Sequence, residues 1–406
     1  MRSQTVWILN HYAGTASSPS TRHYDLARQL VQRGHTVTIF AAGFHYQKFV
    51  EERLEPGQAW RQEFHDGVRF VWIRTFPYRG NEWRRAVNML SYAFRVIRVG
   101  RTLDGKPDVI IGSSVHPFAV VSAYFLSLMK RSRFVFEVRD LWPQTLIDMG
   151  ALSPRSPVAW GLKKLEKFLY RNADTIITLL PYAHEYITRL GIPREKIVWI
   201  PNGADLSRYQ GMRPYEGGTS GIFTIMYLGA HGRANALDVV IDAAKIIQSK
   251  GLNHIRFVFV GEGPEKENLM RSVEKKLVKN VEFREAVPKN ELFLVMSEAD
   301  AFVFNLEDLP LFSYGISSNK LFDYLASGRP ILFSGNTAND PVREAGAGLS
   351  VPARSPERLA EAVVQLVGLT ALERVGMGKS GLAYMKEKHD IRVLASAFEK
   401  VLSAHG

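Results

Sequence analysis

The chain has no cysteine among its 406 residues, which removes disulfides, thiolate metal sites and cysteine nucleophiles from consideration. It has no uninterrupted apolar run of about 18 residues, so no segment reads as a bilayer-spanning helix. The opening run Val6-Trp-Ile-Leu9 is too short for a secretory signal and reads as a strand. No Gly-x-Gly-x-x-Gly turn follows that strand; Asn10-His-Tyr-Ala-Gly14 stands there instead, which disfavours a dinucleotide-dependent dehydrogenase. Negative charge is scarce in one half only. Residues 1 to 203 hold 28 Lys and Arg against 16 Asp and Glu, whereas residues 204 to 406 hold 24 of each, so the whole net charge of +12 lies in the first half. A charge serving solubility alone would be spread evenly. Its concentration points to an anionic surface or substrate such as phospholipid headgroups, a pyrophosphate-linked lipid or nucleic acid.

What is present is the composition of a folded protein, 46% apolar and 23% charged. A single core rarely grows beyond roughly 250 to 300 residues, so two domains are expected. Strand-like runs alternate with amphipathic stretches, the pattern of parallel βαβ units. The runs are Thr5 to Leu9, Thr36 to Ala41, Val68 to Ile73, Asp108 to Ile111, Phe134 to Val138 and Thr175 to Thr178. Gly203 to Gly221, with Pro214, reads as a linker. A second series follows at Phe223 to Leu228, Arg256 to Val260, Val281 to Phe283, Ala301 to Phe304 and Pro330 to Phe333. The expected fold is α/β, with two doubly wound Rossmann-like domains over residues 1–203 and 204–385 and a cleft between the carboxyl ends of their sheets. A last helix near Val393 to Leu402, within residues 386–406, packs on either domain.

Tyr314-Gly-Ile-Ser-Ser-Asn-Lys-Leu-Phe-Asp-Tyr-Leu-Ala-Ser-Gly-Arg-Pro-Ile-Leu332 carries the most chemistry. Ser317, Ser318 and Asn319 are N-cap residue types, Lys320 to Ser327 has helical composition, and Gly328 before Pro330 is a stop signal. The free N–H groups at such a helix start can hold a diphosphate. Asp323, one turn on, either accepts two ribose hydroxyls or merely complements the helix dipole. Gly229-Ala-His-Gly-Arg-Ala-Asn235 follows a strand and precedes a helix, with small residues that admit a diphosphate and Arg233 as the opposing charge; Gly261 opens a second such turn. Strand-to-helix glycine turns are common in any doubly wound fold. His116-Pro117 and Glu137-Val-Arg-Asp-Leu-Trp-Pro143 lie at strand ends, as site residues or as turn chemistry and a structural Arg139–Asp140 pair.

Residues 81 to 100 have helical length and carry Arg84, Arg85, Arg95 and Arg98. Trp83, Ala86, Val87, Leu90, Phe94 and Ile97 form one apolar stripe, which Met89, Tyr92 and Val96 widen beyond a usual core-facing one. Such a helix suits either a membrane interface or a core packed on both sides. Met129-Lys-Arg-Ser-Arg133 and Lys163-Lys164 add positive charge.

Through Arg33-Gly-His-Thr-Val-Thr38, His116, Pro201-Asn-Gly-Ala-Asp205, Asn319-Lys-Leu-Phe-Asp323 and Gly328-Arg-Pro-Ile331, the chain resembles the retaining glycosyltransferases of GT-B architecture, glycosyltransferase family 4. The resemblance covers nearly the whole length. Arg139-Asp-Leu-Trp-Pro143 and Ala230-His-Gly-Arg-Ala-Asn235 are further similar to a bacterial subgroup, the fucosamine-type transferases that build surface polysaccharides. This resemblance implies an acceptor-binding first domain and a nucleotide-sugar-binding second domain. It implies donor contacts from Gly229, His231, Gly232, Asn235, Gly261, Arg284, Ser317, Ser318, Asn319 and Asp323. Arg233 and Lys320 would meet the charge of the leaving phosphate, and His116 and Asp140 would orient donor sugar and acceptor. No metal or other cofactor is expected, and no nucleic acid partner. The implied reaction moves a sugar, such as an N-acetylated amino sugar or a uronic acid, from a UDP donor to a lipid-linked or polysaccharide acceptor with retention. Its implied place is the cytoplasm, peripheral on the inner face of the cytoplasmic membrane. Two departures stand out. Gly315 occupies the first of two family Glu positions, leaving Glu307 or Asp308 to substitute, and Ala230 and Asn235 replace a basic pair. A UDP-sugar epimerase of the same architecture and a non-catalytic basic membrane-surface module are the competing readings; acceptor-dependent product separates the transferase from the first, and nucleotide affinity from the second.

Overall fold

Strand runs such as VWIL and TIIT lack the alternation of a one-sided sheet, so they need cover on both faces, and a parallel sheet between helices supplies it. The computed structural model describes the chain except Met1, Pro19, Gln47, Asn81, Glu82, Val115, Thr219, Ser220 and the last three residues. It divides into two units, Met1–Pro201 with Ile391–Gly406, and Asn202–Asp390.

The first unit holds strands β1 (Thr5–Leu9), β2 (Thr36–Ala42), β3 (Phe44–His45), β4 (Val50–Glu51), β5 (Trp60–His65), β6 (Val68–Ile73), β7 (Val109–Ser113), β8 (Arg133–Val138), β9 (Thr175–Thr178) and β10 (Ile197–Trp199). Its helices are α1 (Arg22–Gln32), α2 (Trp83–Thr102), α3 (Pro117–Lys130), α4 (Gln144–Asp148), α5 (Pro157–Asn172) and α6 (Ala183–Arg189). Apart from the small β3–β4 ribbon, the strands form one sheet in the order β10-β9-β8-β7-β1-β2-β6-β5. The pairs are parallel except β5 with β6, which turn through Asp66-Gly67 with φ of 48° and 79°, the two-residue hairpin that Asp-Gly favours. Strand order reverses between β1 and β7, where ligands of doubly wound sheets bind.

The second unit holds β11 (Phe223–Leu228), β12 (Ile255–Val260), β13 (Val281–Arg284), β14 (Ala301–Asn305), β15 (Ile331–Ser334) and β16 (Gly348–Val351). Its helices are α7 (Leu237–Ser249), α8 (Lys266–Lys275), α9 (Leu292–Met296), α10 (Asn319–Ala326), α11 (Pro341–Glu344), α12 (Pro356–Gly368) and α13 (Ala371–Tyr384). The sheet is parallel throughout in the order β13-β12-β11-β14-β15-β16, so its switch point lies between β11 and β14. A final helix, α14 (Ile391–Ser403), belongs to the first unit and packs on α1, with Leu394 and Phe398 joining the core around Leu26 and Leu30.

Every strand expected from sequence forms, within two residues at its ends. The short or polar β5, β10 and β16 carry too little apolar pattern to be found that way. Two readings need correction. The stretch read as a linker contains a bridge from Ala204 to Asp390 and the 3₁₀ turn Leu206–Tyr209, both inside the second unit. Helix α2 is not packed on both sides: Asn88, Met89, Tyr92, Val96 and Val99 are buried, while Trp83 and Phe94 are each 70% exposed. Asn81 and Glu82, where the sequence reading began this helix, lie outside the described residues.

Candidate functional site

In the second unit, two glycine turns are zipped together at the switch point. The Gly229 N–H donates to Val260 O at 3.0 Å, His231 N–H to Glu262 O at 2.8 Å, and Glu265 N–H to the His231 carbonyl at 3.0 Å. Gly261 has φ of 144°, and a Cβ there would lie 2.1 Å from the Gly229 carbonyl oxygen, so only glycine permits this approach. Across the switch point, the Glu307 N–H donates to Ala234 O at 2.9 Å.

Helix α10 is locked beside this loop. The Tyr324 hydroxyl donates to Leu228 O and accepts from Leu228 N–H, and its ring stacks on Phe302 at 4.5 Å. Lys320 therefore reaches the loop: its ammonium donates to the Tyr227 hydroxyl at 2.9 Å and to Asn235 Oδ1, and lies 4.8 Å over the Tyr227 ring. Burial lowers the Lys320 pKa to about 7. Tyr227 in turn donates to Ala230 O at 2.7 Å. Among the described residues no side chain caps the start of α10 at Ser318, and a helix start of this kind can receive an anion. The arrangement gathers Gly229, Gly232, Asn235, Ser318, Asn319 and Lys320 around one loop and one helix start.

The remaining expected residues have other partners or positions. Ser317 Oγ accepts the Asn202 N–H at 2.8 Å and its carbonyl accepts the Asn202 side chain at 2.5 Å, which ties Asn202 to the α10 entrance. Asp323 accepts the Tyr209 hydroxyl at 2.5 Å on one oxygen and pairs with Lys289 through the other. His231 is fully buried against Phe259 and Phe283 with neither ring nitrogen hydrogen-bonded among the described residues; burial lowers its pKa to about 4. Arg233 is exposed. Arg284 is taken up by Glu282 at 2.6 Å and Glu298 at 2.7 Å, and only its backbone carbonyl reaches the loop, accepting the Gly261 N–H. Gly315 has φ of 90° after the 3₁₀ turn Pro310–Tyr314, Glu307 pairs with Arg354 at 3.3 Å, and Asp308 is exposed. Arg329 of the Gly328-Arg-Pro-Ile331 motif is structural: buried, it donates to the carbonyls of Ala299, Ser297 and Ser327.

In the first unit, His116 follows β7 and is fully buried, its Nε2 2.8 Å from Nδ1 of His11, which follows β1. Burial and the nearby Arg85 lower the His116 pKa to about 3, and His11 also falls well below the ordinary range. Burial thus favours the neutral form of both rings. Asp140 is exposed just after β8 and within reach of the Arg139 charge; the Arg139 backbone N–H donates to Ser114 Oγ at 3.0 Å and its guanidinium reaches Ser20 Oγ at 3.4 Å. The buried charge here is Glu137, which accepts from Arg22 at 3.0 Å, His23 at 2.6 Å and Ser113 at 2.6 Å, while Asn10 donates to Ser113. Sequence reasoning named none of His11, Arg22 or His23 as site residues. Asn10-His11 directly after the first strand was the one available signal.

Residues 19–203 match the glycosyl transferase 4-like domain, and residues 222–368 match the glycosyl transferases group 1 family. Together the two matches span both units in the order that a GT-B enzyme has them. The chain is a GT-B glycosyltransferase. A curated relative of this glycosyltransferase is the probable glycosyltransferase WbjE of Pseudomonas aeruginosa, 19% identical over 311 residues, 72% of this chain and 74% of that one. Among solved structures, sucrose-phosphate synthase from Thermosynechococcus elongatus aligns with a TM-score of 0.75 at 16% identity, covering 99% of this chain and 98% of that chain. Anabaena HepE in complex with UDP-glucose aligns with a TM-score of 0.70 at 12% identity, over 99% and 100%. Identities this low establish the shared fold. Among the described residues no helix is long and apolar enough to cross a membrane, and no three His, Asp or Glu side chains converge as metal ligands.

Proposed function

We propose that this glycosyltransferase moves a sugar from a UDP donor to a lipid-linked or polysaccharide acceptor with retention at the anomeric carbon, without a metal, as the fucosamine-type transferases of family 4 do. The observation that carries the reading is Lys320, held beside the Gly229 to Asn235 loop and next to an uncapped helix start. A diphosphate bound there meets N–H groups of Ser318 and Asn319 and an ammonium that its own negative charge keeps protonated. Arg233 is exposed and supplies a second cation. The neighbouring HepE was solved with UDP-glucose and with UDP, which supports the choice of nucleotide.

Asp323 takes the ribose hydroxyls once Lys289 gives way. Departure of UDP places charge on the β-phosphate beside Lys320, and that phosphate accepts the proton of the incoming acceptor hydroxyl on the same face of the sugar, so no side-chain base is needed. His116 and Asp140 orient donor sugar and acceptor. The basic first unit attaches the enzyme peripherally to the inner face of the cytoplasmic membrane, where a lipid-linked acceptor would be met.

Calorimetric titration with UDP, GDP and ADP, metal-free, tests the donor site; selective binding of UDP is expected, and no binding by any of the three overturns the reading. With a UDP-sugar and acceptor, product must depend on the acceptor and keep the donor's anomeric configuration by NMR. Altered sugar nucleotide without acceptor would mark an epimerase instead.

A further inference from the structure

Helices α2, α3 and α5 are neighbours in the first unit: Ser122 of α3 donates to Ala93 O of α2 at 3.0 Å, and Tyr124 of α3 meets Phe168 of α5 at 5.2 Å. Their outward sides are apolar where a surface is normally polar. Leu90 and Phe94 of α2, Leu128 and Met129 of α3, and Val158 and Trp160 of α5 are all exposed, from 50% for Leu90 to 70% for Phe94. Exposed apolar side chains gathered on three neighbouring helices mark an interaction surface. The charge that the three helices themselves expose has one sign. Arg98, Arg101, Lys163, Lys164 and Arg171 are exposed on α2 and α5, and Lys164 Nζ lies 5.5 Å over the Trp160 ring. The one acidic residue within the three helices, Glu166, is buried, where it accepts the hydroxyls of Tyr170 at 3.1 Å and Tyr186 at 2.8 Å. Burial pushes it up to about 8, so it adds no negative charge to the face at neutral pH.

We infer that the α2–α3–α5 face seats on an anionic phospholipid bilayer, its aromatic and aliphatic side chains entering the headgroup layer and its Lys and Arg side chains meeting lipid phosphates. This deepens the membrane attachment proposed above and requires no step of the transfer reaction. The chemistry selects the partner. A nucleic acid would use the cations but leave Leu90, Leu128, Met129 and Val158 idle. A second copy of the chain, packed face to face about a two-fold axis, would bring cation against cation. An anionic lipid surface uses both sets, because apolar side chains partition into the interface while basic ones are drawn to its negative potential.

The test is sedimentation of the full chain with vesicles of phosphatidylcholine alone and of phosphatidylcholine mixed with phosphatidylglycerol, at low and high salt. Binding to the mixed vesicles that weakens with salt is expected, with a blue shift of tryptophan fluorescence. The pair Phe94→Ser with Trp160→Ser, and the pair Lys163→Gln with Lys164→Gln, should each weaken binding roughly tenfold or more. UDP titration of the same variants should be unchanged, which separates loss of the surface from loss of fold and from failure of the donor site. Leu128→Ser with Met129→Ser repeats the test on α3 if the first pair does not fold. Vesicle binding by the variants equal to that of the natural sequence would overturn the inference. So would a concentration-dependent dimer that Phe94→Ser with Trp160→Ser abolishes, since a second copy would then cover the face.

Discussion

Lys289 forms an ion pair with Asp323, whose other carboxylate oxygen accepts the Tyr209 hydroxyl at 2.5 Å. Lys289 comes from the 3₁₀ turn Lys289–Glu291 after β13, Asp323 from α10, and Tyr209 from the 3₁₀ turn Leu206–Tyr209. Three segments far apart in sequence thus fix one carboxylate on α10, and in the proposed donor complex an incoming ribose competes with Lys289 for it.

Lys289→Ala removes that competitor, so UDP binding should tighten by roughly threefold to tenfold while the free protein loses about 1–3 kcal/mol for the unpaired buried carboxylate. Asp323→Asn should weaken UDP binding roughly tenfold and leave the chain folded. Calorimetry and urea denaturation read both; unchanged affinity in Asp323→Asn would remove this residue from the site.

Lys320 has a folded pKa of about 7 against 10.5 unfolded. The unfolded state therefore binds more protons between those values, and this residue makes stability rise with pH across that window. UDP binding should take up a proton above pH 7 and weaken as pH rises, measured by calorimetry in buffers of different ionisation enthalpy. Lys320→Met should raise stability at pH 7 by about 1 kcal/mol and abolish UDP binding.

Gly261→Ala places a methyl group against the Gly229 carbonyl in a backbone conformation that alanine avoids. Stability should fall by about 2–4 kcal/mol, and nucleotide binding should be lost with the loop geometry. Chemical denaturation with a parallel UDP titration checks this, and retention of both would show that the two turns separate freely.

Glu137 is pushed up by burial but pulled further down by Arg22 and His23, ending well below the usual carboxylate range. It contributes stability above its unfolded value of 4.5 that is lost as pH falls through the lower folded value. Glu137→Gln leaves Arg22 without its countercharge, so about 3–5 kcal/mol should be lost at neutral pH and the acid limb should flatten. Urea denaturation at pH 7 and at acid pH measures both effects.

The fold was legible wherever the signal is local. Continuous apolar runs such as FTIMYL and IRFVFV place buried parallel strands, and Gly261, Gly328 and Pro330 mark turns through backbone sterics that the residue alone dictates. The candidate site was legible in part. Lys320 and Asn235 converge, but Arg284 bonds to carboxylates of its own strand and of the turn after α9, and Asp323 is already paired. Helix α2 shows why: apolar residues occupy more than one of its sides, so periodicity cannot choose between them. Packing chose the side of Tyr92, whose hydroxyl donates to Phe40 O at 2.7 Å, and left Phe94 outside.

The sequence by itself determined the buried parallel strands of the two sheets, the positions of their loops and the basic character of the first half, because burial of apolar runs, glycine conformations and net charge depend on residues acting locally or in sum. Only the tertiary structure decided which charges meet. The pairing of Glu137 with Arg22, of Asp323 with Lys289 and of Lys320 with Asn235 depends on distances of a few ångströms between segments remote in the chain, and hydrogen bonds and buried charges are settled at that range.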